Sequence, residues 1–197
     1  MVMDVDDVLE YIKVHSEIFL NEMMNIKGIS NEKPRTHDQW DTKVESTLQN
    51  HLDVSEKWTL SCPELTNGNK WYHFPIMMSG SFSSAARKLL PGTVEVFEEI
   101  DGVYTVGLSL ILERSMITFH TDSPHVENEE CGTWTYHLGL ACPPHCYVIQ
   151  NETLLPQTDN SFIKFRSNQE HAAINMSNAP RVIMFVSFCK DKPTVKT

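Results

Sequence analysis

From residue 93 onward the chain is a succession of short runs rich in Val, Ile, Phe, Tyr and Thr, at 93–97, 104–112, 115–120, 134–141, 146–150, 162–165, 171–174 and 182–188. Residues that favour turns separate them: Asp101-Gly102, Asp122-Ser-Pro124, Pro143-Pro144, Asn160 and Ser177-Asn-Ala-Pro180. β-Branched and aromatic side chains suit a half-buried pleated surface, and Gly, Pro, Asn and Asp break it. About eight such strands in a row predict a sandwich or barrel. Upstream the texture differs. Val5, Val8, Leu9, Ile12, Ile18, Phe19 and Met23 recur mostly at three- and four-residue spacing, which predicts one helix ending near Gly28, with Asp4, Asp6 and Asp7 at its positive end. Residues 29–56 read as irregular, with one helical segment around 41–52. Residues 81–90 read as a second short helix, capped by Ser81 or Ser83 and ended by Pro91-Gly92. The expectation is a single mainly β domain over 1–197: a helical and irregular part at about 1–92, packed outside a strand-rich core at about 93–190. A chain of 197 residues holds one good core and is short for two.

The charge is unevenly placed. Residues 89–163 carry eleven acids and one base, Arg114, whereas residues 164–197 carry two acids and six bases. A middle so poor in Lys and Arg cannot neutralise a phosphate backbone, which argues against nucleic acid as a partner, and it suits a cation. No stretch approaches the roughly 20 apolar residues of a membrane helix, and the first residues are acidic where a signal peptide is basic, so a cytoplasmic protein is expected. Five cysteines are too few for a disulfide scaffold and fit a reducing compartment. Without a secretion signal, the triplets Asn151-Glu-Thr and Asn175-Met-Ser read as chance matches to a glycosylation site.

Three groups in the strand-rich half carry chemistry. His120-Thr-Asp122 ends one apolar strand, His171 opens another, and Arg181 opens the last. Side chains two apart on a strand share a side, so His120 and Asp122 can converge with a histidine from a neighbouring strand. Two imidazoles and one carboxylate on one face of a metal, with positions left open, are the signature of non-haem Fe(II) oxygenases. The bland alternative makes both histidines ordinary strand-end residues, Asp122 a turn cap and Arg181 a surface charge. Arg181, however, precedes a strand that is apolar on both faces, and a guanidinium there needs an anion. The cluster Cys142-Pro-Pro-His145-Cys146, with Cys131 nearby, lacks the two close pairs of a structural zinc site. His125, Glu127, Glu129 and Glu130 form a polar loop just after the His-x-Asp. It reads as solvated surface, with a lid over the site as the sharper alternative. Trp71, Tyr72 and His73 read as core or rim.

At these residues the sequence resembles the aspartyl/asparaginyl β-hydroxylases, Fe(II)- and 2-oxoglutarate-dependent oxygenases on a double-stranded β-helix, the cupin-like jelly roll. The likeness runs through Gly107-Leu-Ser109, Phe119-His-Thr-Asp122, Tyr136-His-Leu-Gly-Leu140, Asn151-Glu-Thr153, Glu170-His171 and Pro180-Arg-Val-Ile-Met-Phe185. It implies iron ligation by His120 and His171. It also implies that Ser109 and Arg181 hold one carboxylate of 2-oxoglutarate, with His137 at the other. The family's animal members carry glycine where Asp122 stands, so Asp122 restores the ordinary triad. They carry arginine where Thr135 stands, so one anion contact is missing. The implied reaction is hydroxylation of an amino-acid side chain, most specifically the β-carbon of Asp or Asn in a peptide or protein, coupled to conversion of 2-oxoglutarate to succinate and CO₂. Hydroxylation of a free amino acid such as proline, or a cupin-like binding module without turnover, are the alternatives.

Overall fold

The computed structural model describes residues 4–31, 55–68, 70–122, 134–189 and 193–196. The helical segment expected around 41–52, the loop with His125, Glu127, Glu129 and Glu130, and Cys131 lie outside these residues.

The N-terminal periodicity forms two helices rather than one, α1 (Val5–Val14) and α2 (Ser16–Met23). Asp4 and Asp7 close a reciprocal capping box at the start of α1. The break falls at His15, whose Nδ1 donates to the Tyr11 carbonyl at 2.8 Å. Further on, Ser83 caps α3 (Ser84–Leu89) by accepting from the Ala86 N–H at 3.1 Å. Pro91 then opens α4 (Pro91–Glu98) instead of ending the helical region. The run 93–97, expected as a strand, is therefore helical. Proline costs nothing in a first helical turn. In addition, the Glu22 carboxylate of α2 accepts from the Gly92 and Thr93 N–H groups, each at 2.8 Å, and from the Thr93 hydroxyl. A cap supplied from seventy residues away outweighs the local β-rich composition.

Thirteen strands follow in order among the described residues: β1 (Thr59–Leu60), β2 (Trp71–Met78), β3 (Ser81–Phe82), β4 (Ile100–Asp101), β5 (Val103–Ile111), β6 (Ser115–His120), β7 (Trp134–Ala141), β8 (Cys146–Gln150), β9 (Thr153–Pro156), β10 (Phe162–Arg166), β11 (His171–Asn175), β12 (Arg181–Phe188) and β13 (Thr194–Val195). The larger sheet runs β1-β2-β5-β12-β7-β10, with β3 on β2. The smaller runs β6-β11-β8-β9, and β4 pairs with β13. From β5 to β12 the chain crosses repeatedly between the two sheets, and every pairing is antiparallel. This is a double-stranded β-helix with helices packed on its outside. The strands begin earlier than the change of texture at residue 93, because β2 lies along β5 from Trp71↔Ile111 to Pro75↔Gly107.

Period-two alternation divides the larger sheet into two chemically distinct faces. One face, with Tyr72, Phe74, Val106, Leu108, Leu138, Leu140, Met184 and Val186, joins Val8, Ile12, Phe19, Val94 and Phe97 of the helices in the main core. The other face carries Trp71, His73, Ser109, His137, Phe185 and Arg181 toward the smaller sheet. Between the sheets lies a second, smaller cluster of Ile111, Ile117, Val148, Phe165 and Ala173. Helix packing thus anchors the strands from behind and leaves the inner face free to carry polar groups. The Leu-Gly-Leu run needs its glycine because the Thr158 carbonyl approaches so closely that a Cβ at Gly139 would sit 2.0 Å from it.

Candidate metal centre

His120 ends β6 and His171 opens β11, and the two stand opposite each other in the ladder. Their ring centroids are 4.4 Å apart. The Asp122 N–H donates to the Ser167 carbonyl at 2.8 Å, which ties the segment after β6 to the turn before β11. The Asp122 carboxylate then stands 3.5 Å from His120 Nε2 and 3.8 Å from His171 Nε2. One ligand atom from each of the three residues lies within 4.8 Å of the others, and among the described residues no other such group of three comes together.

The tautomers follow from the backbone. His120 Nδ1 lies 2.7 Å from the Thr118 carbonyl, and His171 Nδ1 lies 2.9 Å from the Gln169 carbonyl. A carbonyl only accepts, so each Nδ1 donates to the backbone and Nε2 is the nitrogen left to face a metal. This is the second-shell arrangement that orients metal-ligating histidines. The two imidazole side chains are 7% and 6% exposed, while Asp122 is 51% exposed. The triad therefore has a protein-buried side and an open side. Its donor set, two imidazoles and one carboxylate, fits Fe(II).

Deeper between the sheets is Arg181, the bulkiest fully buried side chain among the described residues at 1% exposure. Its Nε and Nη2 have no hydrogen-bond partner among the described residues, and neither does His137 Nδ1. Burial lowers the Arg181 pKa, while the nearby Cys142 and Cys146 raise it. A buried guanidinium with two idle donors is costly unless an anion meets it. Ser109, on the same inner face, is a diagonal neighbour of Arg181 across the β5–β12 pair. Aromatic rings connect the two regions. The Phe165 ring lies 4.9 Å from His171 and 4.7 Å from His137.

Burial holds the His137 imidazole well below its ordinary pKa, and Arg181 and His171 push it further down. The unfolded chain binds a proton at this histidine near pH 6.5, whereas the folded chain does not. Stability present above about pH 6.5 should therefore decline as the pH falls through that value. The urea midpoint should drop between pH 7.5 and 5.5, and His137→Leu should drop less. An equal drop in both would remove His137 from the pH response.

Ser109, His137 and Arg181 lie on the inner face of the larger sheet, His120 and His171 on the facing smaller sheet, and Asp122, half exposed, at the edge just beyond β6. Three contacts are not legible in the sequence. Trp71 donates to Ser109. Phe165 bridges His137 and His171. Asn175, fully buried, donates to the carbonyls of Ile111, Leu112 and Ala179 and accepts from the Ser177 N–H and hydroxyl, which fixes the turn before Arg181. A residue so enclosed is no glycan acceptor. Asn151 and Glu152 both take positive φ, 50° and 60°, in the hairpin between β8 and β9. Among the described residues, the thiols of Cys142 and Cys146 are engaged with backbone and side-chain oxygens. The Cys142 thiol, pushed up to about 12 chiefly by burial, donates to the Val182 carbonyl, and Cys146 donates to Asn175. Cys142 and Cys146 are free thiols, and Cys189 is disulfide-bonded. Among the described residues no helix is long and apolar enough to cross a membrane.

No curated protein matches the sequence significantly. Among solved structures, an oxidoreductase of the 2OG-Fe(II) oxygenase family from Burkholderia pseudomallei is similar at 11% identity and TM-score 0.43, covering 62% of this chain and 70% of its own. A DMSP lyase from Ruegeria pomeroyi is similar at 10% identity and TM-score 0.40, covering 64% and 52%. The cupin domain of a transcriptional regulator from Enterobacter cloacae is similar at 9% identity and TM-score 0.39, covering 60% and 96%. At these scores nothing is carried from them to this chain. The sequence match is of another order: the family model described as aspartyl/asparaginyl beta-hydroxylase covers residues 22–191, and the chain belongs to that family.

Proposed function

We propose that the protein is an Fe(II)- and 2-oxoglutarate-dependent dioxygenase that hydroxylates an amino-acid side chain, most specifically the β-carbon of Asp or Asn in a peptide or protein. One observation carries this reading. A two-histidine, one-carboxylate cluster, open on one side, shares the inter-sheet space with a buried guanidinium whose Nε and Nη2 have no partner among the described residues.

His120, Asp122 and His171 would hold Fe(II), which when bound supplies the oxidation chemistry with O₂ and 2-oxoglutarate. Arg181 offers paired N–H donors to one carboxylate of the co-substrate, and Ser109 adds a hydroxyl beside it. His137, whose Nδ1 has no partner among the described residues, would meet the co-substrate's other end. The apolar cluster of Ile111, Ile117, Val148 and Phe165 keeps water from the buried side. The exposed flank at Asp122 is where a substrate side chain would enter. In support of a reducing cytoplasmic setting stand the free thiols of Cys142 and Cys146; the disulfide at Cys189 stands against it.

Asp122→Gly tests the triad. If Asp122 is a ligand, iron affinity should fall by at least about tenfold, with succinate release falling in parallel. Full iron binding and turnover would show that the two histidines suffice. The substrate is tested by offering Asp- and Asn-containing peptides and free proline, and asking which gains one oxygen as 2-oxoglutarate is consumed. Co-substrate and iron binding without any oxygen transfer would favour the binding module.

A further inference from the structure

Trp71 reaches both halves of the site. Its indole Nε1–H donates to Ser109 Oγ at 3.0 Å, and its ring centroid lies 6.4 Å from that of His120. The register makes this contact natural. Trp71 stands opposite Ile111 on β5, and Ser109 lies two residues away on the same face, a diagonal cross-strand pair.

A serine hydroxyl has one proton to donate and two lone pairs. At Ser109 the indole N–H occupies one lone pair, so the hydroxyl proton must point elsewhere. The β5 backbone around it is already engaged with β2 on one side and β12 on the other. Arg181, the diagonal neighbour of Ser109 on that inner face, carries two donors with no partner among the described residues. A carboxylate arriving there would complete a directional relay from indole N–H to hydroxyl to anion, in which each hydrogen bond polarises the next.

We propose that Trp71 is a positioning residue for the co-substrate. It fixes the Ser109 hydroxyl as a donor toward the carboxylate that Arg181 holds, and so sets how tightly that carboxylate binds. The inference rests on the proposed 2-oxoglutarate reading of Ser109 and Arg181. Trp71 does not itself touch the reacting atoms.

The test is calorimetric titration of 2-oxoglutarate into the Zn(II)-loaded protein, comparing the native chain with Trp71→Phe, Ser109→Ala and the double variant. Phenylalanine keeps a ring and removes only the donor. Trp71→Phe should weaken 2-oxoglutarate binding by about five- to tenfold. The double variant should bind no more weakly than Ser109→Ala alone, because both changes break one relay. In the iron enzyme, KM for 2-oxoglutarate should rise by the same factor with kcat retained. A merely structural role would lower the melting temperature and add to the Ser109→Ala effect. Additive effects, or native binding in Trp71→Phe, would overturn the proposal. Should Trp71→Phe fail to fold, ¹⁵N spectra of the native protein and Ser109→Ala decide the matter. Of the four tryptophan indole signals, one should be displaced in Ser109→Ala and should respond to 2-oxoglutarate only in the native protein; no such signal overturns it. If the native protein does not bind 2-oxoglutarate at all, the proposed function fails and takes this inference with it. Native binding with Trp71→Phe unaffected defeats only the role of Trp71.

Discussion

Arg181→Met should make the ligand-free protein at least as stable as the native chain, while weakening 2-oxoglutarate binding by roughly 10- to 150-fold. The two effects have opposite signs because burial costs the guanidinium in the ligand-free fold, and under the proposed function a bound carboxylate offsets that cost. Nε and Nη2 have no hydrogen-bond partner among the described residues. Replacing a buried charge by an apolar side chain of similar length is often neutral or stabilising. Once a carboxylate arrives, the same donors form charge-assisted hydrogen bonds worth about 1.5–3 kcal/mol, which sets the expected loss. Thermal unfolding without co-substrate reads the first effect, and titration with 2-oxoglutarate reads the second. A lower melting temperature combined with unchanged binding would make Arg181 a structural residue.

His171→Ala should have the larger effect on the metal. His171 is placed by its ladder partners His120 and Gln150 and by the Phe165 ring, and its Nδ1 is committed to the Gln169 carbonyl. Nε2 is thus presented toward the open centre. Loss of a metal ligand should cost more than the roughly 10- to 100-fold that loss of an outer partner costs, so iron binding should drop by more than about 100-fold and turnover should vanish. Binding of 2-oxoglutarate through Arg181 should weaken much less, which separates this variant from Arg181→Met. Iron retained at native affinity in a folded His171→Ala protein would exclude His171 as a ligand.

Much of the fold is legible along the chain, for a local reason. Strands such as β5, β7 and β12 are long, rich in β-branched or aromatic residues and bounded by turn residues, so composition and punctuation agree. Residues 93–97 have the same composition but become α4, because Pro91 and the distant Glu22 carboxylate favour a helical first turn. β2 is hidden for the converse reason. Its inward positions include His73 and Pro75, which break the expected apolar pattern at the place where the strand faces the site. The His-Asp-His cluster is legible because His120, at the end of β6, and Asp122 are only two residues apart and His171 opens the neighbouring strand. The Trp71–Ser109 hydrogen bond spans 38 residues and depends on the register of β2 on β5, which no local spacing encodes. Asn175 carries a misleading signal, a glycosylation triplet whose asparagine is a fully buried hub.

The central claim, that the His120–Asp122–His171 cluster and Arg181 form one oxygenase site, is tested most directly by succinate release. The purified protein should convert 2-oxoglutarate to succinate and CO₂ when supplied with Fe(II), ascorbate and O₂. Release should stop in His171→Ala, and in Arg181→Met it should recover when 2-oxoglutarate is raised. A native protein that binds neither iron nor 2-oxoglutarate and releases no succinate would contradict the account.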